Sequence, residues 1–482
     1  MTPQRPILRP QETCWRLERA ERMAVIIDAA DYFALVKQAI LGARHSVMLI
    51  AWDFDARIRL DPSAPRGKAP DRLGRFLNWV VSSRPDLEIR VLKWDLGAVK
   101  ALGRGMTPLF VLDWITDARM HFRLDGAHPM ASVHHQKVVV IDDALAFCGG
   151  IDMTADRWDT RDHLDEDPRR RRPTTRRSYG PWHDVTTAVN GPAARALGDL
   201  ARERWEQATG ERLDPPPACT SRWLDGLEPL VEDVEVGISR TVPDYGDRPG
   251  VHEIEALYLE AIARTERCLY IESQYFASRR LAEAMADRLG EPDGPEIVVV
   301  NPLTANGWLE ESVMGASRAR LLGMLAEADR FDRFRIYYPV TLKGEAIYVH
   351  AKVLTMDDRL LKVGSSNLNN RSMGFDTECD LSVEAGPEET GLQERILALR
   401  DDLISEHLGV QRSGFQQTLA AKGSLIAAIE AMRSPGRSLR PFEPPELGVV
   451  GEKIIADNDL LDPERVSSIW SSRRAPRLKR AP

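Results

Sequence analysis

The chain has 482 residues, 43% hydrophobic and 29% charged, which is long enough to bury more than one core. A formal net charge of -8 excludes any general attraction to nucleic acid or an anionic membrane, so such binding would have to be local. The opening residues, MTPQRPILRPQETCWRLERAER, lack the apolar core of a signal peptide, and no stretch approaches the roughly 18 apolar residues of a membrane span, which predicts a cytoplasmic protein.

Short β-branched runs alternate with longer helical patterns, the signature of an α/β protein with a substantially parallel sheet. In chain order, residues 31–45 carry apolar residues at helical spacing, and SVMLIAWDFD and EIRVLKWD read as strands. A strand-turn-strand VVVID-DALAF follows, then a helix over 193–208. Pro215, Pro216 and Pro217 cannot continue that helix and mark a joint. Beyond it come a helix over 253–265, strands CLYIESQYFAS and EIVVVNPLT, and a second strand-turn-strand, VLTMD-DRLLK. A helical stretch from 413 precedes a Pro-rich end, RRAPRLKRAP, which is expected to be mobile. The expected units are 1–214, a linker 215–232, a second unit 233–412, and a tail 413–482. Cys14, Cys148, Cys219, Cys268 and Cys379 are scattered without metal-ligand spacing, so reduced thiols are expected.

The strongest pattern is a repeat. HxKxxxxD occurs as His135, Lys137 and Asp142 and again as His350, Lys352 and Asp357. Gly149 and Gly364 each follow their His by 14 positions, and Asp152 falls opposite Asn367. With the flanking strands aligning too, a repeat of this size means two homologous domains and not a solenoid. In a strand, residues two apart share a face, so each His projects with its Lys. Asp142 and Asp357 have the opposite parity and open Asp-Asp turns, which makes them fixtures of the motif, as are the turns at Gly149-Gly150 and Gly364-Ser365.

Two His and two Lys converging across a pseudo-two-fold suit a phosphodiester. In-line displacement needs a nucleophile on one side and a proton donor for the leaving oxygen on the other, and Lys137 and Lys352 can carry the charge of the non-bridging oxygens without a metal or cofactor. A nucleophilic His also needs a carboxylate to fix its tautomer. Measured back from Gly191-Pro192 and Gly386-Pro387, Asp184 matches either Glu378 or Asp380. Between Arg157 and Tyr179 the first half carries an insertion with Arg169, Arg170, Arg171, Arg172, Arg176 and Arg177. Such a run can hold phosphates, but beside Asp165, Glu166 and Asp167 it also reads as a solvated, flexible loop.

With these residues in view, the chain resembles the phospholipase D superfamily, defined by two such HKD signatures. HHQKVVVIDDALAFCGGIDMTADRWD, PWHDVTTAVNGPAARAL, LYIESQYFAS and VHAKVLTMDDRLLKVGSSNLNNRSMGFDTE look like the enzymes of eukaryotic type, over roughly residues 20–410. The resemblance implies two α/β/α sandwich domains with mixed, largely parallel sheets and one shared active site. It also implies a covalent phosphohistidine intermediate and release of a head-group alcohol from a glycerophospholipid to leave phosphatidate. By position, His135 matches the nucleophile and His350 the general acid. Lys137, Lys352 and Asn367, with Asp152 opposite, match phosphate-binding positions. Glu378 matches the carboxylate orienting His135, and Asp184 the one orienting His350. Expected partners are the phospholipid and, through the Arg run, peripheral contact with an anionic membrane. No separate membrane-targeting domain is expected ahead of the repeat. A cardiolipin synthase-like phosphatidyltransferase, a nuclease of the same chemistry and a silent lipid-binding scaffold are the alternatives; the acidic pI opposes the nuclease, and the intact His and Lys residues oppose the scaffold.

Overall fold

In the computed structural model, which describes residues 5–63, 68–95, 117–130, 132–219, 223–305 and 308–444, the two halves repeat one order of elements. The first runs β1 (Arg16–Ile27), α1 (Ala29–Gly42), β2 (Ser46–Ala51), α2 (Leu73–Ser82), β3 (Glu88–Trp94), β4 (Met120–Asp125), β5 (Val138–Ile141), β6 (Leu145–Gly149), β7 (Trp182–His183), β8 (Val185–Asn190) and α3 (Pro192–Thr209). The second runs β9 (Val231–Val242), β10 (Val251–His252), α4 (Glu253–Arg264), β11 (Cys268–Glu272), α5 (Arg279–Leu289), β12 (Glu296–Val300), α6 (Trp308–Ala328), β13 (Phe334–Val340), β14 (Tyr348–Val349), β15 (Val353–Met356), β16 (Leu360–Gly364), β17 (Glu378–Glu384) and α7 (Thr390–Leu408). It closes with α8 (Arg412–Lys422), α9 (Leu425–Met432) and β18 (Ser438–Pro441).

Local chemistry sets these boundaries. α3 starts with Pro192 after Gly191 and stops at Gly210, both glycines at positive φ (74° and 76°), the arrangement that opens and closes a helix at least cost. In α2, Leu73, Phe76, Leu77 and Val80 are buried at helical spacing. Strands β2 and β12 are apolar along their length because helices cover both faces.

β1 and β9 pair along their length at the centre of one continuous sheet. Outward from that pair the order is β8-β6-β5-β2-β3-β4 on one side and β17-β16-β15-β11-β12-β13 on the other, strand for strand, with β18 added at the second edge. One face carries a core shared by the halves, with Leu197 and Trp205 of α3 and Ile396 and Leu403 of α7. On the opposite face α1 and α2 cover the first half, and α4, α5 and α6 the second.

The α/β class with helices on both faces holds, but the strand sense differs from a largely parallel sheet. Within the large sheet, parallel ladders are confined to β2-β3-β4 and β11-β12-β13, and the pairs between them run antiparallel. The reason lies in the Asp-Asp turns. A turn this short returns the chain beside itself, whereas a parallel neighbour needs a long crossover.

Two further expectations change. Residues 412–441 are integral, with Phe415, Leu425 and Ile429 buried and β18 paired to β13, because that stretch has enough apolar surface to dock; residues 445–482 of the expected tail lie outside the described residues. The Arg run is only partly solvated. The Arg170 side chain is 1% exposed, with Nη1 2.9 Å from Asp159 Oδ2, and Arg169 and Arg172 pair with Asp167 and Asp156. Removing one member of a buried pair strands the other charge, so Arg170→Ala should cost about 3–5 kcal/mol. Denaturant midpoints at unchanged slope would measure it, and a loss under about 1 kcal/mol would return Arg170 to the solvated class. Among the described residues, no helix is long and apolar enough to cross a membrane.

Candidate active site

Each signature is clamped from behind. The Asp142 carboxylate accepts the backbone N–H groups of Arg44, His45 and Ser46 at 2.7, 2.8 and 2.7 Å, tying its turn to the start of β2. Asp357 accepts those of Glu266, Arg267 and Cys268 at 2.8 Å each, tying its turn to β11. Asp142, Asp143 and Asp357 all adopt positive φ, which Asp tolerates better than most residues. The His and Lys residues themselves stand just before β5 and β15 rather than within strands. They are extended there because each lead-in segment pairs with the other half: His134 bridges Thr377, and β14 runs parallel to β7 with Val349 beside His183.

That exchange brings each imidazole to a carboxylate from the opposite half. His135 Nδ1 lies 2.9 Å from Glu378 Oε2, and His350 Nδ1 lies 2.7 Å from Asp184 Oδ2. The alternative to Glu378 is excluded by register. β16–β17 pairing sets Gly364 opposite Asp380, and β6–β8 pairing sets Gly149 opposite Thr186, so Asp380 corresponds to Thr186 and Glu378 to Asp184. Asp380 instead binds Lys362 and the backbone of Ser365 and Ser366.

Glycine is required at the turn. A Cβ on Gly149 would sit 2.4 Å from the Thr186 backbone, and one on Gly364 2.5 Å from that of Asp380. Gly150 backs onto Asp184, whereas its counterpart Ser365 donates its hydroxyl to Glu378 at 2.5 Å, joined by Ser372 at 2.6 Å. Asp152 accepts the N–H groups of Trp52 and Asp53 and lies 3.3 Å from Lys137, so it can bear on a phosphate only through that ammonium. Asn367 is buried with its side-chain oxygen unpartnered.

The centre is buried and lined by two lysines. Lys137 Nζ donates to the His135 carbonyl at 2.9 Å, and Lys352 Nζ stands 3.1 Å from His350 Nδ1 and 3.4 Å from Gln274 Oε1. Burial pulls the Lys352 pKa down to about 7. Burial and the neighbouring lysines hold His135 and His350 well below the usual imidazole range. Burial likewise raises Asp184 to about 7 and Glu378 to about 8. The histidine and carboxylate shifts all oppose separated charge, so each imidazole–carboxylate pair favours sharing one proton over a full ion pair. His135 is the most open of the four signature side chains, at 14% exposed.

Residues 116–218 and 336–426 match the family model described as Phospholipase D, one match around each signature. The chain belongs to the phospholipase D superfamily. It is 23% identical to Phospholipase D1 of Schizosaccharomyces pombe over 81% of this chain and 36% of that protein, and 23% identical to Phospholipase D A of Dictyostelium discoideum over 80% and 35%. It spans about a third of the length of these two relatives. Cardiolipin synthase A of Salmonella paratyphi A is also 23% identical, over 80% of this chain and 70% of that one. Among solved structures, phosphatidylserine synthase of Haemophilus influenzae shares the fold, with TM-score 0.53, 13% identity, and coverage of 80% and 88%.

Four residues around this superfamily centre carry no repeated signal in the sequence. Trp52 and Trp182 stand beside His135 and His350 with ring centroids 6.4 and 5.3 Å away. Arg157 lies over Trp182 at 4.2 Å and helps depress the His350 pKa, and Gln274 faces Lys352. Trp182, Gln274 and Arg157 lie within the strings that carry the resemblance and Trp52 within the strand SVMLIAWDFD, but nothing local singled them out.

His134, next to the signature, is fully buried with Nδ1 2.6 Å from Thr377 Oγ1 and Nε2 unpartnered, and burial lowers its pKa from 6.5 to about 3. Above pH 6.5 both folded and unfolded chains hold it neutral. As pH falls from there towards about 3, only the unfolded chain takes up the proton, so folding loses about 1.4 kcal/mol per pH unit from this group. His134→Gln should flatten the acid limb of a stability–pH curve; an unchanged limb would assign it to other groups.

Proposed function

We propose that this superfamily member is a phospholipase D-type phosphodiesterase that cleaves glycerophospholipids to phosphatidate through a phosphohistidine, passing the phosphatidyl group to water or to an alcohol. The observation that carries the reading is the crossed arrangement, in which each half's imidazole is oriented by the other half's carboxylate.

His135 Nε2 attacks phosphorus. The hydroxyls of Ser365 and Ser372 oppose the effect of burial on Glu378, and with the proton the pair shares placed on His135 Nδ1 the Nε2 lone pair is free. His350, with no hydroxyl donated to its carboxylate among the described contacts, keeps the further proton and delivers it from Nε2 to the leaving alkoxide. The P–O bond to the head group breaks as the P–N bond forms. His350 then takes a proton from water or an acceptor alcohol, whose oxygen displaces His135. Lys137, Lys352 and the Asn367 amide hold the non-bridging oxygens, and the bound anion draws Lys352 back to its ammonium form.

Incubating purified protein with mixed phospholipids and a primary alcohol, and resolving products by mass, tests this. Phosphatidate and phosphatidyl-alcohol are expected, and cardiolipin formed from phosphatidylglycerol would identify the transferase form. Inert phospholipids together with cleavage of DNA or RNA would overturn the lipid assignment.

A further inference from the structure

Behind the active site, four side chains from four separate segments meet with no part in the proposed reaction. Asp28 follows β1, His163 lies in the insertion, His183 ends β7, and Glu406 is near the end of α7. Asp28 and His183 are at most 1% exposed, and the His163 and Glu406 side chains 0% and 3%. His163 Nε2 is 3.4 Å from Asp28 Oδ2 and 3.1 Å from Glu406 Oε1; His183 Nδ1 is 3.4 Å from Asp28 Oδ1 and 3.3 Å from Glu406 Oε1. We propose that these four residues hold one tetrahedral divalent transition-metal ion of the zinc type, as a structural site joining the two halves.

The spacing is the first argument. Nitrogen and oxygen ligands about 2.0–2.1 Å from a tetrahedral ion lie roughly 3.3–3.4 Å from one another, close to the separations seen here. The second is what these atoms fail to do. Asp28 Oδ2 and His183 Nδ1 are buried without a hydrogen-bond partner. An imidazolium N–H at His183 would be expected to bond one carboxylate oxygen; its Nδ1 instead lies almost equally far from Asp28 Oδ1 and Glu406 Oε1 and bonds neither, as two ligands of a shared cation would. The third is the outer layer. The remaining nitrogen of each imidazole reaches a carboxylate, His163 Nδ1 to Asp159 at 3.1 Å and His183 Nε2 to Glu272 at 2.9 Å. Those carboxylates are themselves held, Asp159 by Arg170 and the backbone N–H of Trp182, Glu272 by His407 and the Tyr270 hydroxyl. Metal-binding imidazoles are oriented in this way, and two carboxylate ligands neutralise the dication.

The sequence led to the expectation of no metal, and the ion proposed here is a structural one. It would act at a distance from the phosphoryl chemistry. The Asp28 and Asp184 backbones bond to each other through Asp28 N–H to the Asp184 carbonyl, and the His183 carbonyl accepts the His350 N–H, both at 2.8 Å. A metal at this point pins α7 of the second half to the segment that presents Asp184.

The test reads metal content and so stands apart from the reaction proposed above. Untagged protein is produced in cells supplied with Zn²⁺ or Co²⁺, so that the buried site loads during folding, and is gel-filtered in metal-free buffer. About one equivalent per chain is expected, with the intense visible absorption of tetrahedral Co²⁺ in the cobalt form. Asp28→Asn and His163→Gln should each lower the content at least about tenfold, while His121→Gln, elsewhere on β4, keeps it. X-ray absorption of the wild-type metal form, which depends on no variant folding, should show two imidazoles and oxygen ligands. Folded wild type with under about a tenth of an equivalent of either metal would overturn the proposal and leave a charged His–carboxylate network. Sulfur ligation, or full metal content in both variants, would overturn it as well.

Discussion

His135→Ala is expected to abolish turnover of any phosphodiester substrate and with it the trapped phosphoryl-enzyme. The side chain supplies the imidazole oriented by Glu378, and Lys137 and Lys352 remain to bind the phosphate but cannot form a bond to it. Loss of a covalent nucleophile should cost roughly five orders of magnitude in kcat, with substrate binding far less affected. His350→Ala gives the complementary pattern. It removes the proton donor, so turnover of a natural lipid stops, yet an ester with an activated leaving group needs no proton and should still charge His135. Quenched reactions digested and mapped by mass would locate the adduct. A phosphoryl group on His350 in the wild type would reverse the two roles, and turnover in His135→Ala within about a hundredfold of wild type would remove the covalent intermediate altogether.

The parts of this site that were legible in the sequence are those written twice. His135 and His350, the lysines, the Asp clamps and the close-packed Gly149 and Gly364 occur at matched offsets, because each half must solve the same local packing problem. The flanking strands were legible for the same reason. What the repeat could not settle was anything the two-fold treats unequally. Offsets from the Gly-Pro pairs left Glu378 and Asp380 open, and only the ladder register, with Gly364 opposite Asp380, decides between them. Trp52 and Gln274 occupy corresponding positions, three residues beyond Leu49 and Ile271, which pair with Val139 and Leu354 of the two signature strands. Being unlike residues, they leave no trace in an alignment of the halves. Asp28, His163, His183 and Glu406 have no spacing at all, since four distant segments supply one each. The antiparallel sense of the middle strands was implicit in the short Asp-Asp turns but outweighed by the alternation of strands and helices.

Glu378→Gln is the substitution that tests whether the crossing of the halves is chemical or only architectural. The amide keeps the volume and can accept from one of the Ser365 and Ser372 hydroxyls while donating to the other, so the fold should be retained. It removes the negative charge that holds the Nδ1 proton of His135, and an amide N–H facing that nitrogen would favour the opposite tautomer, with the proton on the attacking Nε2. A change of this kind costs about 10²–10⁴ in kcat with little change in KM. Asp184→Asn should cost a comparable amount on a natural lipid, because His350 loses its orienting partner. The two separate on a substrate with an activated leaving group. Asp184→Asn should recover most of its rate of charging His135 there, since that step then requires no proton, whereas Glu378→Gln should charge slowly because its defect is in the attack itself. Asp380→Asn, which breaks the buried pair with Lys362 and no contact to either imidazole, should lower stability more than kcat. A Glu378→Gln enzyme within about threefold of wild type would mean that the carboxylate only braces the joint between the halves, and equal recovery of both variants on the activated ester would place the nucleophile elsewhere.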